Sequence, residues 1–471
     1  MLFSSIPFLY YFLPVILIAY YLVPKPVKNG VLLLASLVFY GWGEPSFVFL
    51  MMATIALGYV FGILIEKFQQ EKWKEKPWAK CCMILSVGIS LAFLGYFKYA
   101  NFFIANFNAA TGISLPLLKV VLPIGISFYT FQLVSYIIDV YWGKVAAQKN
   151  PIILATYITM FPQLIAGPIV RYSDVEKQLK DRSITFEKIA YGIRRFAFGV
   201  GKKILIANVL GEFCAAFKAT DEKSIVFFWA YAVAVSLQIY FDFSGYSDMA
   251  IGLGSMLGFH FIENFNYPFI SKSATEFWRR WHMSLGTWFR DYVYIPLGGS
   301  RCTRARNLLN IFIVWMLTGF WHGAEWTFVV WGLYFGILLM LEKTLLLKWL
   351  EKIPVLGHTY ILILGIISFV IFDAVTIADA IEHIVAMFGG AGLPMMTGVT
   401  NYYLSSYAII FMIAFIGATP LPKKVFEKIS ANKMGGMILS VLEPMVMVLI
   451  LVVATGYLVD GSFNPFLYFR F

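Results

Sequence analysis

The chain has 471 residues, 60% of them hydrophobic and 13% charged, with a formal net charge of +11. That composition excludes an ordinary soluble domain, and no polar stretch is long enough to hold a separate core. Residues 1–471 are therefore expected to form one membrane domain. The positive excess calls for no nucleic acid, since Lys and Arg on cytoplasmic loops produce it and the bilayer's anionic heads attract it. The four cysteines (Cys81, Cys82, Cys214, Cys302) have neither disulfide-framework nor zinc spacing.

The first apolar stretch, residues 4–23, lacks a basic leader and is about twenty residues long, so it reads as a membrane helix and not a cleaved signal. Residues 30–42 are too short to cross upright. Residues 46–65 form a span with Gly58 and Gly62 spaced for close helix contact. The loop after it carries Lys67, Lys72, Lys74, Lys76 and Lys80, an inside marker; with residues 30–65 crossing out and returning, Lys25 and Lys28 also fall inside and the N-terminus outside. Two spans follow at 81–97 and about 120–142, with a polar external segment between them. Residues 151–170 contain Pro162, Gly167 and Pro168 and predict a broken or re-entrant helix.

Residues 171–203 are amphipathic and end in Gly-Lys-Lys, which reads as an interfacial helix. Residues 224–259 form a long apolar run interrupted by Asp242, Ser244, Ser247 and Asp248, either a pocket wall or a structural hydrogen-bond knot. Residues 264–306 are too charged to span and predict short interfacial helices. Further spans are expected at 307–321, 326–345, 360–378, 402–419 and 437–459, with Lys423, Lys424, Lys428 and Lys433 on an inside loop. The total is about eleven crossings, with re-entrant and interfacial helices, in an all-α polytopic protein.

Chemistry concentrates in residues 272–336, within a core motif region of about 120–345. His282 follows Trp281, His322 follows Trp321, and six arginines (Arg279, Arg280, Arg290, Arg301, Arg304, Arg306) surround them. An ionisable group in an apolar run is a functional candidate by default. A neutral imidazole in a dry pocket is suited to removing a proton from a hydroxyl, which then attacks an activated carbonyl. No paired histidine spacing points to a metal, and no Ser-His-Asp order points to a serine intermediate. Arg279, Arg280 and Arg290, with Trp281 and Trp321, are candidates for seating a phosphorylated donor, although cytoplasmic sidedness alone would place arginines there. Glu325 follows His322 by three residues and, on a continuous helix, would share its face; a solvated glutamate is the other reading. His260, His358 and His383 read as structural.

Five blocks carry a resemblance: Phe161-Pro-Gln-Leu-Ile-Ala-Gly-Pro168, Phe241-Asp-Phe-Ser-Gly-Tyr-Ser-Asp-Met-Ala250, Trp278-Arg-Arg-Trp-His-Met-Ser-Leu285, Asp291-Tyr-Val-Tyr-Ile-Pro-Leu-Gly-Gly299 and Asn464-Pro-Phe-Leu-Tyr-Phe-Arg-Phe471. With the Gly-Phe-Trp-His-Gly motif at His322, the chain resembles the membrane-bound O-acyltransferase superfamily, and within it the bacterial branch of the alginate O-acetyltransferase membrane subunit. The resemblance implies helices around a funnel in the bacterial inner membrane, with His322 as catalytic base and His282 assisting proton transfer or holding the thioester carbonyl. It implies no bound cofactor, acetyl-CoA or another acyl thioester as donor, an extracytoplasmic acyltransferase partner and a cell-surface or secreted polysaccharide as final acceptor. D-alanyl transfer from a carrier-protein thioester to teichoic acid is the alternative within the superfamily. A transporter, whose broken helices would line a substrate path, is the alternative outside it.

Overall fold

The computed structural model describes residues 1–70 and 76–461. Lys72 and Lys74 of the basic loop and the block from Asn464 to Phe471 lie outside the described residues. Every regular element described is helical. By length and composition six helices can cross a bilayer: Pro45–Phe68, Trp78–Thr111, Ile225–Met256, Trp326–Lys352, Pro354–Asp373 and Lys433–Val459. Gly398–Ser406 and Ala408–Gly417, bent by 55°, make a seventh if the pair is one span. The all-α polytopic expectation holds. Long apolar helices among the described residues do not reach eleven, because segments such as Pro7–Leu22 and Ile126–Tyr141 are too short.

Contacts divide the chain into two compact units, Met1–Phe196 with Ala250–Ile262, and Ala197–Met249 with Glu263–Phe471. In the first, Ile126–Tyr141 is buried on almost every side. Gly58 and Gly62 of the neighbouring helix meet Leu133 and Tyr136 on it, as their spacing predicts. The 151–170 segment is broken as expected. Asn150 caps Pro151–Thr159 by accepting from the Ile152 and Ile153 amides at 2.9 and 3.4 Å, and Met160 leaves the helical region two residues before Pro162. The broken backbone at 160–170 is buried in protein, one of the two settings, with a water-filled cavity, in which such a segment is tolerated at membrane depth. The polar segment expected between two spans is helical at 101–111, where it continues the Trp78–Thr111 helix.

The second unit holds the motif region. Residues 264–306 fold as expected into short helices, Ala274–Arg280, Met283–Phe289 and Arg290–Tyr294, followed by Arg304–His322. Thr303 caps that last helix through Arg306 N. The helix packs backbone to backbone against Trp326–Leu341, because Gly319 and Gly332 face each other. A Cβ on Gly319 would lie 2.5 Å from the Phe328 carbonyl oxygen and 2.9 Å from the Gly332 Cα. Trp278 wedges beside this pair, its ring 4.7 Å from Trp315, 5.4 Å from Trp331 and 4.8 Å from Phe335. Gly319→Val should therefore force the helices apart and destabilise the protein by about 1–3 kcal/mol. A lowered thermal midpoint in detergent checks this, and an unchanged midpoint contradicts it.

Candidate active site

Both motif histidines are buried in the second unit, His282 with 2% and His322 with 7% of its surface exposed. Trp321 brings them into one cluster, its ring centroid lying 6.0 Å from that of His282 and 5.0 Å from that of His322. Phe243 of the Ile225–Met256 helix stands edge-on to His282 at 4.7 Å. Trp331 and Phe372 stand edge-on to His322 at 5.0 and 5.3 Å. Two imidazoles thus share an aromatic basin from which polar solvent is largely excluded.

His322 is the last residue of its helix, and Gly323 turns away in extended backbone. Of the two readings of Glu325, the shared helical face with His322 is therefore absent. Glu325 is exposed and flanks the start of the next helix. His282 sits between Ala274–Arg280 and Met283–Phe289 in a left-handed conformation, φ 44° and ψ 52°. For a non-glycine residue that conformation costs about 1–3 kcal/mol and persists only where surrounding contacts over-determine it.

Those contacts come from the strand-like segment at 264–266. Met283 N donates to the Asn264 carbonyl at 2.9 Å, and Asn266 N to the Arg280 carbonyl at 2.9 Å. The Asn264 side chain adds three contacts through Oδ1: His282 Nδ1 at 3.1 Å, Ser284 N at 3.2 Å and Ser284 Oγ at 2.8 Å. Its Nδ2 donates to Ser247 Oγ at 3.0 Å. Further back, the buried Glu342 carboxylate accepts from the Ala274 and Thr275 amides at 2.5 and 2.9 Å, capping the helix that leads into Trp281-His282. Burial pushes the His282 imidazole down to about 3, so the ring is neutral across the physiological range.

The other expected site residues divide. Trp321 belongs to the cluster. Trp281 does not, for it is a core residue stacked on Phe277 at 5.5 Å and packed against Phe265 and Phe369. Arg280 is occupied by Glu276 at 2.9 Å and the Asn266 carbonyl, and Arg290 forks onto the adjacent Asp291 at 2.7 and 3.2 Å. Of these three arginines, only the exposed Arg279 has no carboxylate partner among the described residues. The expected pocket wall also splits. Ser247 faces Asn264, whereas Asp242 pairs with Lys203 at 2.5 Å and Asp248 with Lys202 at 2.7 Å. Ser244 is buried, and its hydroxyl has no hydrogen-bond partner among the described residues.

Gly-Lys-Lys at 201–203 is accordingly no solvated helix end, since the Lys203 side chain is 3% exposed. Asn264 and Glu342 escape sequence reasoning. Neither sits at a diagnostic spacing, and Asn264 lies in a polar loop where amides are common. The remaining histidines are structural in their contacts. The His260 amide donates to Gln178 Oε1, His358 Nδ1 meets the Ser271 carbonyl at 2.9 Å, and His383 nests among Phe217, Phe228 and Tyr231. No group of three His, Cys, Asp or Glu side chains suited to a metal gathers among the described residues.

The family model for membrane-bound O-acyltransferases matches residues 145–377, which include both imidazoles, Asn264 and Glu342. The probable alginate O-acetylase of Pseudomonas putida is 39% identical over the full length of both chains. The chain belongs to the membrane-bound O-acyltransferase family. The peptidoglycan O-acetyltransferase of Helicobacter pylori is 34% identical over 73% of this chain and 70% of its own. The teichoic acid D-alanyltransferase of Bacillus subtilis is 33% identical over 46% of this chain and 58% of its own. This O-acyltransferase is thus a multi-pass protein of the bacterial inner membrane in the alginate O-acetylase branch.

Proposed function

We propose that the chain moves an acetyl group from acetyl-CoA, supplied from the cytoplasm, toward a hydroxyl of an extracytoplasmic polysaccharide. The observation that carries this reading is the pairing of His282 and His322 about Trp321. The names of the Pseudomonas and Helicobacter relatives support acetyl as the group and a polysaccharide as the acceptor. A hydroxyl oxygen attacks the thioester carbonyl carbon, the C–S bond breaks, and the hydroxyl proton passes through imidazole to the departing sulfur. His322, the more exposed ring, takes the proton from the hydroxyl, with His282 as the second imidazole. Arg279 is the arginine left to meet the donor's phosphates. An extracytoplasmic acyltransferase completes delivery to the polymer. The transporter reading lapses with family membership.

Purified protein in liposomes, given acetyl-CoA labelled in the acetyl group, should release free thiol and pass the label to a polyuronate once the partner is added. Label taken instead from a D-alanyl carrier-protein thioester, with none from acetyl-CoA, would replace this reading by D-alanyl transfer.

A further inference from the structure

We infer that Asn264 is a positioning residue that holds His282 as the Nδ1–H tautomer, leaving Nε2 as a bare proton acceptor. The inference rests on the acyl-transfer reading for its chemistry, but the hydrogen-bond argument stands alone. The backbone N–H of Ser284 can only donate, so the Asn264 atom facing it at 3.2 Å is the oxygen. The same oxygen lies 3.1 Å from His282 Nδ1, which must therefore carry the hydrogen. The other end of the amide is fixed independently, because Nδ2 donates to Ser247 Oγ. With Nδ1 protonated and the ring neutral, Nε2 holds a lone pair. That atom is buried and has no hydrogen-bond partner among the described residues.

An asparagine on Nδ1 does for tautomer and ring orientation what a carboxylate does in a serine-hydrolase triad, without adding charge. Of the two roles open to His282, holding the thioester carbonyl needs an N–H on Nε2, and the network removes it. Proton acceptance remains: Nε2 receives the proton that His322 removes from the hydroxyl as the new C–O bond forms, and that proton ends on the sulfur when the C–S bond breaks. The groups facing the ring from neighbouring elements are Phe243 on the long helix, Trp321 on Arg304–His322, Asn264 on the preceding loop and Ser284 on Met283–Phe289, with Ser247 behind Asn264. The charged residues of the long helix nearest in sequence, Asp242 and Asp248, are turned roughly 120° from the Phe243/Ser247 face and are paired with lysines.

Selective nitrogen-15 labelling of histidine, with His282→Gln to assign the signal, reads the tautomer directly by NMR in detergent. The Nδ1–H form is expected in the wild-type protein at pH 7. Asn264→Leu should abolish that preference and slow thiol release from acetyl-CoA by native membranes about 100-fold. Asn264→Asp keeps the acceptor geometry and folds in the same space, but places a negative charge beside Nδ1. It should raise the imidazole pKa, so the acid limb of the rate moves up by about one pH unit or more, protonated Nε2 being unable to accept. An Nε2–H tautomer in the wild type, an unchanged tautomer in Asn264→Leu, or an unmoved acid limb in Asn264→Asp overturns the inference. If the tautomer behaves as expected while His282→Gln releases thiol at the wild-type rate, the acyl-transfer role of His282 falls and Asn264's tautomer assignment stands.

Discussion

Replacing His322 with alanine should lower the rate of acetyl transfer by about 10³-fold while the protein still inserts and purifies as a monodisperse species. General base catalysis contributes roughly 10²–10⁴-fold, and none of the side chains packed on this ring can take its place. Its neighbours Trp321, Trp331 and Phe372 contribute aromatic surface, and Glu325 is exposed beyond the end of the helix. The structural penalty is limited by its position. His322 is the terminal residue of its helix, and the close approach of Gly319 to Gly332 one turn earlier does not depend on it. Transfer is measured as label reaching a polyuronate, and folding as elution from a sizing column. A variant that elutes normally and transfers acetyl at the wild-type rate removes the mechanism.

The second large effect is on stability. Lys203→Met and Asp242→Leu, made singly, should each destabilise the protein by about 3–5 kcal/mol, because each leaves an uncompensated charge in a site with 3% or less of either side chain exposed. The double substitution should recover most of that loss, since apolar groups of similar volume replace both charges and no charge is stranded. Lys202→Met is the internal comparison. That lysine is 30% exposed and its partner Asp248 12%, so the loss should be smaller. Thermal midpoints of the purified variants in one detergent check the order. A double variant no more stable than the single ones would show that the pair does more than neutralise itself.

What the sequence discloses follows from which physical signals are local. Apolar runs such as 46–65 and 437–459 announce helices because their length alone decides the matter, and Pro162 announces a break because its ring forbids the preceding turn. The pairing of His282 with His322 was foreshadowed by two Trp-His steps in one region, although of the two tryptophans only Trp321 stands by the rings. Charge was the misleading signal. Lys202 and Lys203 look like a cytoplasmic helix end, and only tertiary packing shows them facing Asp242 and Asp248, some forty residues away. Arg280 and Arg290 look like bare cations in sequence, and only the structure shows Glu276 and Asp291 beside them. Asn264 is silent in sequence because its role exists only once residues 264–266 lie alongside 280–283.

Comparison of His322→Ala, His282→Gln and the double variant in the same thiol-release assay decides whether the two imidazoles act as one unit. Groups serving one proton transfer are strongly non-additive, so the double variant should be no slower than the slower single one. If the two losses multiply, or if either single variant keeps the wild-type rate, the histidines do not share a reaction.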